Sequence, residues 1–115
     1  DTKKAVFLEG VLAEKLLNIQ YQDRKSKPFR ERLNGLKIDG KIAKRLFPEM
    51  INKLEEYNKN HYYKELEQGI AAYMLNENFS AFSVDELSFY FTLGMSLASK
   101  VLPKNQKEEE ESINE

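Results

Sequence analysis

The spacing of apolar residues is the feature that most limits the fold of this 115-residue chain. Near the N-terminus, apolar side chains recur every three or four residues, which places them on one face of a helix over residues 3–22. These residues are Ala5, Leu8, Leu12, Leu16 and Ile19. Later segments repeat this period, and none alternates apolar and polar residues as a half-buried strand does. The pattern predicts an all-α protein, a single-domain bundle of five or six helices.

Local start and stop signals divide the middle of the chain into further helices. Pro28 is typical of a helix start, and Gly35 of the end of the same short helix. Asp39 can cap the next helix with its carboxylate. We expect Pro48 in the first turn of a separate helix, because a proline is tolerated there. Another amphipathic helix is predicted over about residues 61–77.

The last predicted helix covers about residues 84–102 and begins with a capping box formed by Ser83 and Glu86. One apolar face holds Leu87, Phe91, Met95 and Ala98, and a second holds Phe89, Leu93 and Leu97. A helix that is apolar around most of its circumference is typical of a bundle centre. We therefore expect this helix in the middle of the bundle. We also expect Gly69 and Gly94, both inside helices, to allow close helix packing.

The charged residues are unevenly distributed, although 18 basic and 19 acidic side chains give a net charge of only −1. Residues 24–45 hold nine basic side chains and two acidic ones, whereas residues 108–111 are four consecutive glutamates. We predict a helical bundle over residues 1–102 and an acidic, disordered tail over residues 103–115. A segment with so large a basic excess indicates a surface that faces a polyanion.

The residue inventory argues against catalysis and against a resident metal. The chain has no cysteine, which excludes disulfides, a thiolate nucleophile and cysteine-ligated metals. Its one histidine, His61, has no second imidazole or evident catalytic partner beside it, so a surface or capping role fits better. We expect no enzymatic activity, no cofactor and no metal. No apolar run is long enough to span a membrane, and we expect a cytoplasmic protein.

The basic segment, residues 24–45, carries the main functional hypothesis. Its nine candidate nucleic-acid-binding residues are Arg24, Lys25, Lys27, Arg30, Arg32, Lys37, Lys41, Lys44 and Arg45. Any one of these residues alone would be ordinary on a solvent-exposed helix. An ordinary surface, however, mixes basic and acidic residues, whereas the charged residues of this segment are mostly basic. We predict contact with phosphates and little sequence preference, because no base-reading pattern is evident. Most aromatic residues fall on apolar stripes and are expected in the core. For Tyr21 and Tyr57, the pattern leaves open whether the ring is in the core or on the surface.

Two other interpretations of the basic segment remain open at this point. Residues 28–47 could form a helix-turn-helix, with Gly35 near the turn and residues 42–45 on the reading helix. Alternatively, the chain could be a purely protein-interacting bundle whose basic segment meets an acidic partner.

A series of short motifs in fixed order runs through residues 5–102. The series consists of Ile19-Gln20-Tyr21, Pro28-Phe29, Leu33-Asn34-Gly35-Leu36-Lys37, Leu46-Phe47-Pro48-Glu49, Asn52-Lys53-Leu54-Glu55-Glu56-Tyr57 and Leu87-Ser88-Phe89-Tyr90-Phe91. It resembles the C-terminal region of the large subunit of type I-B CRISPR interference complexes (Cascade). The matching positions Pro28, Lys37, Lys44 and Arg45 fall inside the basic segment.

The resemblance implies a non-catalytic role in an RNA-guided DNA surveillance complex. In that family the region is helical and can also be made as a separate small subunit; the lack of the large subunit's upstream domain here favours that form or an excised fragment. The implied partners are the CRISPR backbone and large subunits, the guide RNA–target DNA assembly, and other copies of the chain. The implied task is to hold the unwound target, chiefly the displaced DNA strand, while a recruited helicase–nuclease cleaves it.

Overall fold

The computed structural model describes residues 2–23, 28–57, 63–74 and 81–100 of the chain. Its five α-helices are α1 (Thr2–Asp23), α2 (Pro28–Leu33), α3 (Gly40–Glu56), α4 (Lys64–Met74) and α5 (Val84–Ser96). A short 3-10 turn, Ala98–Lys100, follows α5. No strand occurs within these ranges, and the predicted all-α class is confirmed. His61 and the predicted acidic tail lie outside the described residues.

Helix α1 forms the centre of the bundle. It packs against α3, α4 and α5, and most extensively against α5. Its buried apolar residues point in several directions around the helix axis, as expected for a helix with neighbours on several sides. They include Ala5, Val6, Val11, Leu12, Ala13, Leu16 and Leu17. The prediction that the last helix occupies the middle of the bundle is therefore wrong.

Two glycines bring the backbones of α1 and α5 into direct contact. A Cβ atom on Gly10 of α1 would overlap the carbonyl group of Phe91 in α5. Conversely, a Cβ atom on Gly94 of α5 would overlap the carbonyl group of Phe7 in α1. Any side chain at either position must push the two helices apart. The packing role predicted for Gly94 is confirmed, and Gly10 is its counterpart on the other helix.

Gly69 has no comparable role in α4. A Cβ atom added there would meet the Leu8 Cδ1 atom at 3.8 Å, which is an ordinary van der Waals distance. The prediction that Gly69 allows a close helix approach is therefore wrong.

Helix α5 buries one face rather than two. Leu87, Phe91 and Gly94 are buried against α1, whereas Phe89 is 59% exposed. At 100° per residue, Phe89 lies on the side of the helix opposite that buried face. Its ring instead forms an edge-on contact with Tyr90, with the two centroids 5.3 Å apart. The expected second buried face is therefore wrong for Phe89, because the close approach at Gly94 decides which side of α5 meets the core.

Pro48 lies inside α3 and does not begin a new helix, which corrects the predicted boundary. An internal proline removes one backbone hydrogen bond and costs about 3 kcal/mol in a helix interior. Its ring is on the exposed side of α3. On the opposite side, one buried stripe continues past it without a change of register, through Ala43, Leu46, Met50 and Leu54. Packing of both halves on the core offsets the lost hydrogen bond.

The predicted end of α2 and the predicted starts of α3 and α5 are confirmed, whereas α5 ends at Ser96 and not near residue 102 as expected. Gly35 has a φ of 71°, the left-handed conformation that commonly ends a helix. The Asp39 carboxylate caps α3 by accepting a 2.8 Å hydrogen bond from the Ile42 N–H. At α5, the Glu86 N–H donates to the Ser83 hydroxyl and the Ser83 N–H donates to the Glu86 carboxylate, at 3.1 and 3.2 Å.

Candidate nucleic-acid interface

Six of the nine predicted nucleic-acid-binding residues lie in the described part of the chain. Arg30 and Arg32 are on α2, Lys37 is in the connection before α3, and Lys41, Lys44 and Arg45 are on α3. The other three, Arg24, Lys25 and Lys27, lie outside the described residues.

Lys41, Lys44 and Arg45 form one exposed patch on α3, referred to below as the basic face. They follow at intervals of three and one, so their side chains leave the helix on the same side. All three are exposed, whereas Ala43 and Leu46 on the other side of the same turns are fully buried. The helix therefore fixes three cationic side chains toward solvent while its apolar side anchors them to the core.

The position of the basic face on α3 is electrostatically unusual. Lys41 lies in the first turn, which contains no acidic residue, and Lys44 and Arg45 lie in the second. The N-terminus of a helix carries about half a positive elementary charge, so cations there are unfavourable by about 0.3–1 kcal/mol each. The same arrangement adds the field of the helix to that of the side chains, and this favours a bound anion.

The connection that precedes the basic face is anchored at both ends. Gly35 ends α2, and the Ile38 N–H donates a 2.9 Å hydrogen bond to the Ser88 hydroxyl of α5. The Ile38 side chain is buried, and Asp39 immediately caps α3. Lys37 is exposed on this anchored segment. It is thus held close in sequence and in space to the first turn of α3.

Arg32 forms an ion pair within the fold. Its Nε and Nη2 atoms lie 3.3 and 3.4 Å from the two carboxylate oxygens of Glu49. Both side chains are about one-third exposed, and the pair joins α2 to α3. We infer a role in fixing α2 rather than in binding a ligand, which the sequence pattern had not indicated.

The C-terminal half of α3 has the opposite charge. Glu55 and Glu56 are exposed there, and the Glu56 carboxylate lies 3.7 Å from the Lys53 Nζ atom. Nearby in α4, burial raises the pKa of Glu67, and the charge of Glu55 raises that pKa further while Lys64 lowers it. A polyanion that contacts α3 would therefore bind at its N-terminal half and be repelled at its other end.

The two aromatic residues that the sequence left unsettled have different environments. Tyr57 is half-buried and packs against the core. Tyr21, near the end of α1, is 69% exposed. Phe89 is the other strongly exposed aromatic residue in the described part of the chain, and the sequence pattern had assigned it to the core. Tyr21 and Phe89 are thus the aromatic rings available to a partner.

The geometry around α2 does not match a helix-turn-helix. Such motifs join their helices through three or four residues, whereas residues 34–39 separate α2 from α3. The longer connection disfavours this alternative.

No three acidic, histidine or cysteine side chains among the described residues are grouped closely enough to hold a metal ion. None of the described helices is long and apolar enough to cross a membrane.

Comparison with known proteins assigns the chain to a family. The chain matches the C-terminal domain of CRISPR-associated protein TM1802 (cas_TM1802) over residues 1–111, and it belongs to that family. This match confirms the recognition of a CRISPR-associated C-terminal region from the ordered motifs. No curated protein and no solved structure matches the chain.

Proposed function

We propose that this domain is a non-catalytic part of a type I-B CRISPR interference complex, where it holds the unwound target DNA. Its basic face contacts phosphates, chiefly those of the displaced strand. Its partners are the backbone and large subunits, the assembly of guide RNA and target DNA, and further copies of itself. The domain acts in the cytoplasm, either within the large subunit or as a separate small subunit.

The observation that carries this proposal is the exposed basic face at the N-terminal half of α3. Lys41, Lys44 and Arg45 are presented together on a helix that is anchored to the core by its other side. Lysine and arginine on a rigid support position a phosphate backbone without reading its sequence. A guide RNA supplies sequence recognition by base pairing, so a subunit beside it needs only to hold the strand.

The number of cations indicates weak binding by one copy. The basic face together with Lys37 can make three or four phosphate contacts. At about 0.7 per single-strand phosphate, the dependence of log K on log salt concentration would have a slope of about 2–3. Several copies along one strand would raise the effective affinity without any new kind of contact.

We propose no catalytic step for the domain itself. The sequence has no cysteine nucleophile and only one histidine. Target cleavage would then depend on a recruited enzyme.

The proposal is tested by charge reversal in the assembled complex. The variant Lys41→Glu/Arg45→Glu should reduce retention of the opened target, measured as protection of the displaced strand in a footprinting assay. The matched control is Lys64→Glu/Lys100→Glu, which changes the charge equally at two exposed residues outside the basic face. Unchanged retention in the first variant, or an equal loss in both, would contradict the proposal. If the domain instead binds only an acidic protein, Lys41→Glu/Arg45→Glu should lose that protein and leave retention of the target DNA unchanged.

A further inference from the structure

A small cavity lies at the junction of α1 and α2. Leu17, Gln20, Tyr21 and Arg30 line it, and its volume is about 170 Å³. Three of these residues belong to the last two turns of α1, and Arg30 belongs to α2. A larger open groove of about 510 Å³ adjoins the cavity, since Leu17 and Arg30 line both. Arg30 therefore lies between the small cavity and the larger open groove.

The lining of the cavity combines three different chemistries. Tyr21 is 69% exposed, so most of its ring is open to a ligand. Arg30 is also exposed, and its guanidinium group can bind a phosphate through two parallel hydrogen bonds. Leu17 supplies an apolar wall. An aromatic ring, an apolar wall and a cation together suit a ligand that has a flat ring and a negative charge.

Gln20 gives independent evidence that the cavity takes a polar ligand. Gln20 is only 2% exposed, and neither its amide nitrogen nor its amide oxygen has a hydrogen-bond partner among the described residues. A buried polar group without a partner costs folding free energy, so it calls for an explanation. If the side chain turned toward the cavity, the amide could donate one hydrogen bond and accept another from the same ligand edge.

We propose that this cavity takes one unpaired pyrimidine base of a single-stranded nucleic acid, with Tyr21 stacked on the ring and Arg30 holding the adjoining phosphate. The inference rests on the proposed function and names the ligand of a second contact point beside the basic face. A cavity of about 150 Å³ accommodates a benzene ring, so a volume of about 170 Å³ has room for one six-membered ring. The edge of a base carries hydrogen-bond donors and acceptors, which could serve as the missing partners of the Gln20 amide.

The neighbouring groove provides a path for the rest of the strand. Beyond Arg30, it is lined by Asn34, Gly35 and Met95, with Glu31 on the same helix as Arg30. The Glu31 carboxylate repels phosphates, so the phosphate next to the bound base would lie on the Arg30 side. From Gly35, the chain leads through Lys37 to the basic face on α3. One strand could thus contact the cavity and the basic face in succession.

The test uses the full 115-residue chain and two probes of equal phosphate number: a short oligothymidylate and an abasic oligomer. Tyr21→Ala should weaken binding of the oligothymidylate by about 5- to 150-fold, the range for one base stacked on one aromatic ring. It should leave binding of the abasic oligomer unchanged. The matched control, Phe89→Ala, removes an exposed aromatic ring outside the cavity and should change neither affinity.

A tryptophan at position 21 reports on stacking directly. The chain contains no other tryptophan, so the fluorescence of Tyr21→Trp belongs to this site alone. The oligothymidylate should quench it and the abasic oligomer should not. Equal quenching by duplex DNA would overturn the inference, because paired bases are not available to the cavity. Gln20→Met keeps the side-chain volume and removes the amide. It should therefore reduce the difference in affinity between the oligothymidylate and the abasic oligomer.

The possible failures are distinguishable. If Tyr21→Ala binds both oligomers as the unaltered chain does, the cavity is not a base site, while the proposed contact through the basic face still stands. A second outcome is that Lys41→Glu/Arg45→Glu keeps full affinity for both oligomers while Tyr21→Ala loses affinity for the oligothymidylate. In that case, the proposed phosphate contact through the basic face is wrong and the proposed base site in the cavity is supported. If the unaltered chain binds neither oligomer at low salt, both proposals are overturned.

Discussion

The crossing of α1 and α5 and the basic face of α3 are built in opposite ways. At the crossing, two glycines let the helices touch backbone to backbone, and any added side chain would separate them. On α3, three long cationic side chains are exposed to solvent. The crossing should therefore determine whether the chain folds, and the basic face should determine what the folded chain binds.

The two regions also differ in how far apart their residues are in the sequence. The crossing joins residues that are more than 80 positions apart in the sequence. The basic face comes from three residues within five consecutive positions of one helix. Substitutions at the two sites should thus affect different measurements: unfolding free energy for the first and nucleic-acid affinity for the second.

The largest expected effect on stability comes from Gly94→Ala. Because its Cβ atom would overlap the Phe7 carbonyl, the helices must move apart, and we expect a loss of about 3 kcal/mol in unfolding free energy. Urea unfolding followed by circular dichroism measures it. The matched control is Gly69→Ala, where the new methyl group has room and the helix should gain up to about 1 kcal/mol. Equal behaviour of the two variants would show that α1 and α5 do not cross at Gly94.

A smaller effect, of opposite sign, is expected at Glu9, next to Gly10 in the centre of the bundle. Its carboxylate is fully buried with no hydrogen-bond partner among the described residues, and burial raises its pKa well above the ordinary value of 4.5. The folded state therefore favours the protonated form of Glu9, so the contribution of this residue to stability is most favourable below pH 4.5 and is lost as the pH rises through the raised pKa. At neutral pH, Glu9→Met should raise the unfolding free energy by about 2 kcal/mol.

The pH profile distinguishes this explanation from a general packing effect. The gain from Glu9→Met should shrink as the pH falls from the raised pKa of Glu9 toward 4.5, and it should level off below 4.5, where the carboxyl is protonated in both the folded and the unfolded state. Glu14→Met, at a half-exposed position on the same helix, is the matched control and should change stability little. A loss of stability in Glu9→Met at neutral pH would contradict the prediction, since it would mean that the carboxylate has a stabilising partner.

A still smaller effect is expected where the basic face begins. Asp39→Ala removes the carboxylate that accepts the Ile42 N–H, and loss of such a cap costs about 1 kcal/mol. Asp39→Asn keeps a capping oxygen and should retain most of the stability. Thermal unfolding of the two variants measures the difference. If both lost the same amount, the charge of Asp39 rather than its hydrogen bond would be responsible.

Much of the fold could be predicted because its signals are local. The period of the apolar residues gave the extent of α1 to within a residue or two, and capping residues gave the starts of α3 and α5. Such signals depend on residues three or four positions apart. The sequence also located the basic face, because Lys41, Lys44 and Arg45 lie on one helix.

The features that the sequence did not predict all depend on contacts between segments that are distant in the sequence. Pro48 resembles a helix start, but packing on both sides of it keeps α3 continuous. Phe89 resembles a core residue, but the contact at Gly94 turns it outward. The ion pair of Arg32 with Glu49 required knowledge that α2 meets α3. A cavity between two helices likewise has no signature in either helix alone.

The most direct test of the central claim is the salt dependence of single-stranded DNA binding by the full chain. For the unaltered protein, we expect log K to fall with log salt concentration with a slope of about 2–3. Lys41→Glu/Arg45→Glu should remove about 1.4 from that slope, equivalent to two lost phosphate contacts. Its unfolding free energy should be unchanged or slightly higher, because glutamate suits the N-terminal turns of a helix. The control Lys64→Glu/Lys100→Glu should keep the original slope, and a reversal variant that also kept it would contradict the account.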